Sequence, residues 1–596
     1  MTYQQRIEKF EADFKEKEAI TNKISMLRIV TFLLLVVAII QYISSNFEQS
    51  IWLFVFLTTI PVFAYLVKWH QRVFDQKSLL EQLLLINKKE QRLQQENVSE
   101  FEGGAAYADP MHDYAADLDL FGEASLFSVV NRTSTARGEQ HLANLFKQSL
   151  PDVAAIEQQQ IAVKELAPKL DFRQNFMAKG YLTEDTLEDL TYLQTWASSP
   201  PVFRTSTFWK TVRILLPAIT LATLVFYMFT FQYLPLLLMV IVNLGFLGVQ
   251  AKYIGQEHTF IGKKQGILKM YISLLHLARQ ETFEQSSILQ QIHKDAVAAE
   301  ESFNKLVKII NYFDQRQNVL VGLGLNLLVL YDLQCLFALE KWKADYHQEL
   351  EKWLLDVAQM DTLLSLGGFY YNNPDFTFPH LTISGNNKIV AKALGHPLIP
   401  AQQRINNDCS LGADGKSIFV VTGSNMAGKS TFLRAVAVNL LLAKIGAPVC
   451  AEQLEANLMD IITSMRVQDS VSKNTSYFQA ELQRMQYIVQ TLDKKKPTFV
   501  ILDEILKGTN SDDKLLGSQL LVKRFLDLNC ISMIATHDLD LGKMEETYPQ
   551  KIENLCFESK IEDEVLSFDY KLNKGIAKNK NATFLMYQME IVEKEV

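Results

Sequence analysis

Apolar residues in this chain follow two patterns. In the first, the run is apolar on every side. Ile29 to Ile43 and Ile51 to Val67 have no polar face, and Ile214 to Phe231 and Tyr233 to Val249 repeat the pattern around a break at Gln232-Tyr-Leu-Pro235. A membrane span needs ~20 residues, and the first two runs come close to that with Tyr42, Trp52 and Trp69 as interface anchors. The loop Ser44 to Ser50 has no Lys or Arg, whereas Arg28, Lys68 and Arg72 flank the first pair. Arg204, Lys210 and Arg213 precede the second pair and Lys252 follows it. The positive-inside rule then puts all outer ends in the cytoplasm, giving four transmembrane helices in two hairpins.

The second pattern is periodic or short. Arg72 to Gln95 reads as an amphipathic helix through Val73, Leu79, Leu80, Leu83, Leu84 and Ile86. Ile267 to Ala358 is helical, with one clear punctuation at Val321-Gly-Leu-Gly324. Ile418–Thr422, Thr498–Leu502 and Ile531–Ala535 are short, buried-strand runs. The charged stretch Met1 to Met26 is too long and too acidic for a cleaved signal peptide. These patterns divide the chain into a cytoplasmic helix (1–26), a first hairpin (27–68), and an amphipathic helix with a Gly/Ala/Asp-rich linker (69–117). The second hairpin (206–252) separates 118–205 from the helical stretch 253–375, and an α/β domain with a tail fills 376–596.

Length alone, 596 residues, allows about four domains at ~150 residues each. The net charge of −8 argues against a generally basic nucleic-acid binder. Five scattered cysteines, without a C-x-x-C, fit a reducing compartment and no metal cluster.

The chemistry is concentrated in the last third. Gly423-Ser424-Asn425-Met426-Ala427-Gly428-Lys429-Ser430 fits G-x-x-x-x-G-K-[ST] between a strand and the helix-like run beginning at Thr431. Such a loop aims backbone N–H groups at phosphate oxygens at a helix N-terminus. Lys429 would reach the β- and γ-phosphates, and Ser430 would hold Mg²⁺. Asp503, ending a second strand, suits a Mg²⁺ ligand, and Glu504 beside it could deprotonate the attacking water. His537, after the third strand, could sense the γ-phosphate. The expected ligand is a nucleoside triphosphate.

These residues resemble the MutS mismatch-repair ATPases. Gly423 to Thr431 is similar to TGPNMGGKST, with Ser424 for Pro and Ala427 for Gly. Asp503 to Ser511 resembles DEIGRGTS, with Leu506 for Gly and Lys507 for Arg, and Ala535-Thr536-His537 resembles ATH. Ser476-Tyr-Phe-Gln-Ala-Glu481 is similar to the family's STFMxE loop, and His396-Pro397 and Asn407-Asp408 match its preceding HP and ND. The resemblance implies an ABC-like P-loop ATPase domain, and a homodimer in which Ser476 completes the partner's site. Leu118 to Gly122, Asn131 to Thr135 and Leu150 to Asp152 resemble the opening of the family's all-α lever domain, and Asp361 to Ser365 its closing helix.

Other family parts find no match. Phe10-Glu11 and Phe101-Glu102 lie in a charged helix and a loop, so neither supports the Phe-x-Glu wedge of the mismatch-reading domain. An apolar hairpin stands where the DNA clamp should interrupt the lever, and Lys263, Lys264 and Lys269 are the nearest approach to a basic run. Two readings follow: a membrane-anchored MutS-type ATPase that still engages mismatched DNA, or an ATP-driven machine working on lipid or a membrane partner. A transporter ranks last, because the four spans hold no Asp, Glu, Lys or Arg.

Overall fold

The computed structural model describes residues 2–578 except 318, 384, 467–476, 493–495, 508–509 and 563–564. α1 (Tyr3–Ser44) and α2 (Ser50–Glu96) form one long hairpin. Thr2 and Gln5 close a capping box at the start of α1, which satisfies orphan N–H groups of the first turn. His70 Nε2 lies 3.0 Å from Ser25 Oγ, and Lys77 pairs with Glu18 at 2.8 Å. The expected boundaries at 26/27 and 68/69 fall inside unbroken helices, because no stop signal separates the charged from the apolar turns there.

Short helices α3 (Leu126–Val130), α4 (Ala136–Gln148), α5 (Val153–Leu166), α6 (Leu170–Gly180) and α7 (Leu187–Ala197) follow. α8 (Thr207–Thr230) and α9 (Leu234–Gln280) make the second hairpin. α9 likewise runs straight past the expected end at 252. Then come α10 (Ser287–Asp314), α11 (Val319–Val329) and α12 (Tyr331–Asn372). The glycines at 322 and 324 lie within α11, and the chain breaks instead at Leu330, whose φ is +50°. α1, α2, α8 and the first part of α9 are each long and apolar enough to cross a membrane. Their outward faces stay apolar: Phe32, Ile40, Phe54, Leu57, Phe229 and Ile241 are all more than half exposed.

The two stretches expected to open and close the helical body meet in its core. Asp361 on α12 is buried and accepts from Ser134 N, Thr135 N and Thr135 Oγ1, each at 2.9 Å. Arg132 N donates to Ser365 Oγ at 3.0 Å. The Arg132 guanidinium turns the other way and grips Glu90 of α2 with two bonds, at 2.6 and 3.0 Å. Glu90 also accepts from Asn372 Nδ2 at 2.9 Å, so α2, the Arg132 loop and the last turn of α12 share one buried node. Removing one partner of a buried pair strands the other charge, so Glu90→Ala is expected to cost about 3–5 kcal/mol in urea unfolding. Arg132→Ala should cost a similar amount, and the double variant less than the sum.

The remaining chain forms two sheets. One has order β1 (His380–Thr382), β5 (Gln453–Asn457), β2 (Ile389–Leu394), β3 (Asn407–Leu411) and is mostly antiparallel. The other involves β4 (Ile418–Gly423), β6 (Asp460–Ser464), β7 (Thr498–Asp503), β8 (Cys530–Thr536), β9 (Ile552–Glu562) and β10 (Val565–Lys574). Its order is β10-β9-β4-β8-β7-β6, parallel throughout except for the β9–β10 pair. β4 and β8 are buried at every position, which is why they read as continuous apolar runs. Helices α13 (Lys429–Lys444), α14 (Tyr477–Leu492), α15 (Ser511–Leu526) and the short α16 (Met544–Thr547) complete the domain. Asp117 ties the linker to it, accepting from Met465 N at 3.0 Å and Arg466 N at 2.8 Å.

Candidate functional site

β4 ends at Gly423 and α13 begins at Lys429, so the loop between them sits at the carboxyl edge of the parallel sheet. Two of its glycines are sterically required. A Cβ on Gly423 (φ +153°) would meet Phe557 O at 2.8 Å, and one on Gly428 (φ +104°) would meet the Tyr570 ring at 3.1 Å. Ala427, standing where the resemblance expects Gly, is buried and outside the left-handed region, so its methyl fits. Met426 takes a positive φ of +69° and is exposed with Asn425 at the loop tip.

Lys429 is buried, and its ammonium donates to Gly423 O at 2.7 Å and Ser424 O at 2.8 Å. Burial pushes its pKa down, while Glu504 and Asp503 pull it back. β7 is not the direct neighbour of β4, since β8 lies between them. Asp503 nevertheless reaches Ser430 and accepts its hydroxyl hydrogen bond. Burial raises the Asp503 carboxyl and that hydrogen bond opposes the rise. A hydroxyl and a carboxylate together suit Mg²⁺, which takes few protein ligands and fills its shell with phosphate oxygens and water. Among the described residues, no group of three or more His, Cys, Asp or Glu could hold a metal on its own.

Glu504 adopts φ +53°, a left-handed conformation costly for a side chain and the kind of strain that gathers at functional sites. Its carboxylate lies between Lys507 Nζ at 3.2 Å and His537 Nδ1 at 3.6 Å. Burial pulls its pKa upward, but Lys507, with His537 and Lys429, more than offsets this and leaves it below the usual range. Glu504 is therefore held ionised, as a base must be. His537 is half-exposed beside it, placed to couple to that carboxylate. Leu506 also takes a positive φ, +57°, so the conformation suited to the family's Gly persists with a Leu. Its side chain is buried and would collide with a Cβ on Gly517, which leaves that space to Leu506. Glu481 from α14 is buried and accepts from Lys507 N at 3.3 Å, linking α14 to this loop. Ser476 lies outside the described residues.

Gly423 flanks the loop, while Ser424 to Met426, Gly428 to Thr431 and Glu504 line a cleft of about 600 Å³. Its opposite wall was not foreseen as part of the site. His396, Ile405, Phe557 and Tyr570 supply apolar and ring surfaces suited to a nucleobase. Tyr570 sits on a bulge of β10 that Asn407 fastens, donating to Tyr570 O at 2.9 Å and accepting from Leu572 N at 2.8 Å. The Asn407 motif was a usable signal; nothing in the sequence marked Tyr570. Burial, then Arg434, push His396 down to about 4 from 6.5, and its Nδ1 accepts from Leu398 N at 3.3 Å. A neutral ring thus stabilises the fold fully above pH 6.5, and this contribution is lost as pH falls toward 4. Thermal midpoints measured from pH 7 to 4.5 are expected to fall more steeply for the native chain than for His396→Gln.

Comparison with known proteins places the phosphate loop and the strand-end acids within one matched domain. The family model for MutS domain V matches residues 419–592. A Thermotoga sp. (strain RQ2) DNA mismatch repair protein MutS is 30% identical over 229 residues, covering 37% of this chain and 27% of that protein. The Candida glabrata DNA mismatch repair protein MSH3 is 32% identical over 187 residues, 31% of this chain and 18% of its own length. Human MutS protein homolog 4 is 29% identical over 236 residues, 38% and 24% respectively. The matched segment thus spans about a quarter or less of these relatives. Residues 419–592, which hold the phosphate loop and the strand-end acids, form a domain similar to MutS domain V.

Proposed function

We propose that this protein is an ATP-hydrolysing machine of MutS type, held in a membrane by its two apolar hairpins. The observation that carries the ATPase reading is the convergence of Lys429, Ser430 and Glu504 on one cleft, with Asp503 interacting with Ser430 behind it. Loop N–H groups and Lys429 bind the triphosphate, with the base against the His396–Tyr570 wall. Mg²⁺ held by Ser430 and Asp503 would neutralise charge on the phosphates. Glu504 orients and deprotonates the attacking water, steadied by Lys507, and His537 links its position to the γ-phosphate. As the resemblance implies, the active form is a homodimer in which Ser476 reaches the partner's site.

For the work that hydrolysis drives, we favour the membrane. The helices emerging where a clamp would lie expose Phe229, Ile241 and their neighbours, surface that lipid covers and DNA does not. Lys264, one of the few cations near there, is already paired with Asp189. On this reading the ATPase and helical body face the cytoplasm. DNA binding is the second reading, favoured by the mismatch-repair names of the relatives. The test is the ATPase rate of detergent-purified full-length protein with homoduplex or mismatched DNA across a salt series, and again in vesicles of varied lipid. We expect indifference to DNA and a response to lipid. Stimulation by DNA that fades with salt would instead establish a phosphate-binding surface.

A further inference from the structure

We propose that α11 is a re-entrant membrane element, dipping into the bilayer from the cytoplasmic side against the second hairpin and turning back at Leu330. The inference rests on the membrane reading of that hairpin. α11, VLVGLGLNLLV, carries no charge and packs on both α8 and α9. It nevertheless leaves Leu323 51% exposed, with Leu325, Leu327 and Leu328 partly so. Such a surface matches the lipid-facing sides of the helices it leans on. Gly322–Val329 meets Tyr331–Asn372 at 82°. At 11 residues, or ~16 Å, α11 is too short to span and long enough to reach the middle of a ~30 Å core.

Cross-links between helices fix the depth. Asp314, just before the element, lies 3.2 Å from His258, beyond the apolar run of α9. Leu327, near its far end, accepts at 2.6 Å from Nδ2 of the fully buried Asn243, which also donates to Thr220 Oγ1 at 3.0 Å. Asn243 is nine residues into α9, so this contact sits ~14 Å from the hairpin-tip end of that helix. On the way back, Gln334 Nε2 donates to Arg213 O at 2.7 Å, near the cytoplasmic start of α8. The chain therefore enters, approaches the midplane and returns.

The turn is built for a place without water. Irregular backbone at membrane depth persists only where protein satisfies its polar groups. Here Leu330 N donates to Asn326 O at 3.1 Å and Asp332 N to the buried Asn326 Oδ1 at 2.9 Å, while Asn243 takes the Leu327 carbonyl. Asp332, two residues past the turn, is buried and pairs with Arg316 at 3.5 Å, tying the turn to the segment that leads into α11.

The test uses full-length protein in vesicles, with a nitroxide spin label on Leu323→Cys, Ile241→Cys or Leu516→Cys. All three sites are exposed, and the five native cysteines are buried. Collisional access to oxygen and to a water-soluble nickel chelate is then compared. We expect Leu323 to match Ile241, open to oxygen and closed to nickel, with Leu516 open to nickel. Nickel access at Leu323 alone overturns the re-entrant assignment and leaves the hairpin in place. Nickel access at Ile241 overturns both. Exclusion of both probes from Leu323 also overturns it, as burial against a second copy of the chain.

Discussion

Lys429→Ala is expected to abolish nucleotide binding at micromolar concentrations while leaving the fold intact. In the structure the ammonium is satisfied by two carbonyls of its own loop, Gly423 O and Ser424 O. Those bonds lie within one turn of chain and leave the sheet untouched when they are lost. Bound triphosphate would replace them with charge-assisted bonds, each of about 1.5–3 kcal/mol. Losing two removes at least ~3 kcal/mol, or ~100-fold in Kd. Titration with a fluorescent ATP analogue reads the affinity, and an unchanged thermal midpoint shows that the domain survives. Binding at native affinity would mean that the loop's N–H groups suffice alone.

Glu504→Ala should behave in the opposite way, binding ATP normally and holding it unhydrolysed. The carboxylate is on the cleft wall, while the phosphate contacts belong to the loop and to α13, so affinity has little reason to change. Loss of a positioned base typically costs 10²–10⁴-fold in turnover. Two side effects can be anticipated. Lys507 and His537 lose a shared partner, and Ala at φ +53° keeps the strain that Glu504 bears. A single-turnover assay separates the outcomes: slow hydrolysis with normal binding assigns the base, and normal turnover removes Glu504 from that role.

The nucleotide half of the site was legible because its requirements are local. A phosphate loop needs glycines at set spacing, a strand before it and a helix after it, and Gly423, Gly428 and Lys429 meet all three within ten residues. The opposite wall is assembled from the β2–β3 loop, β9 and β10, and no spacing rule announces that Tyr570 will fold over Gly428. The departures from the family pattern were visible as letters, but their meaning was not. Ala427 proved harmless, because its backbone is ordinary, and Leu506 kept a left-handed backbone by filling the space above Gly517. Among the helices, element type was readable from periodicity and the ends were not. Apolar and amphipathic turns joined without a stop signal in α1, α2 and α9, and the visible glycines of α11 were passed over for a break at Leu330.

The unbroken course of α2 has a consequence in helical phase. Its 47 residues, ~70 Å of one rod, carry the apolar run at one end and Glu90 at the other. Each residue of a helix advances ~1.5 Å and turns ~100°, so the azimuth of the apolar end fixes the azimuth of Glu90. A single residue inserted between Lys68 and Val73 would leave every apolar and charged segment present and correctly ordered. It would nonetheless swing one end about a quarter turn relative to the other. Either the rod twists in its packing against α1, or Glu90 points away from Arg132 and Asn372. An insertion of seven, close to two full turns, would restore the alignment and only lengthen the rod. In this part of the chain, angular register is thus a property that selection would have to preserve, apart from any individual side chain.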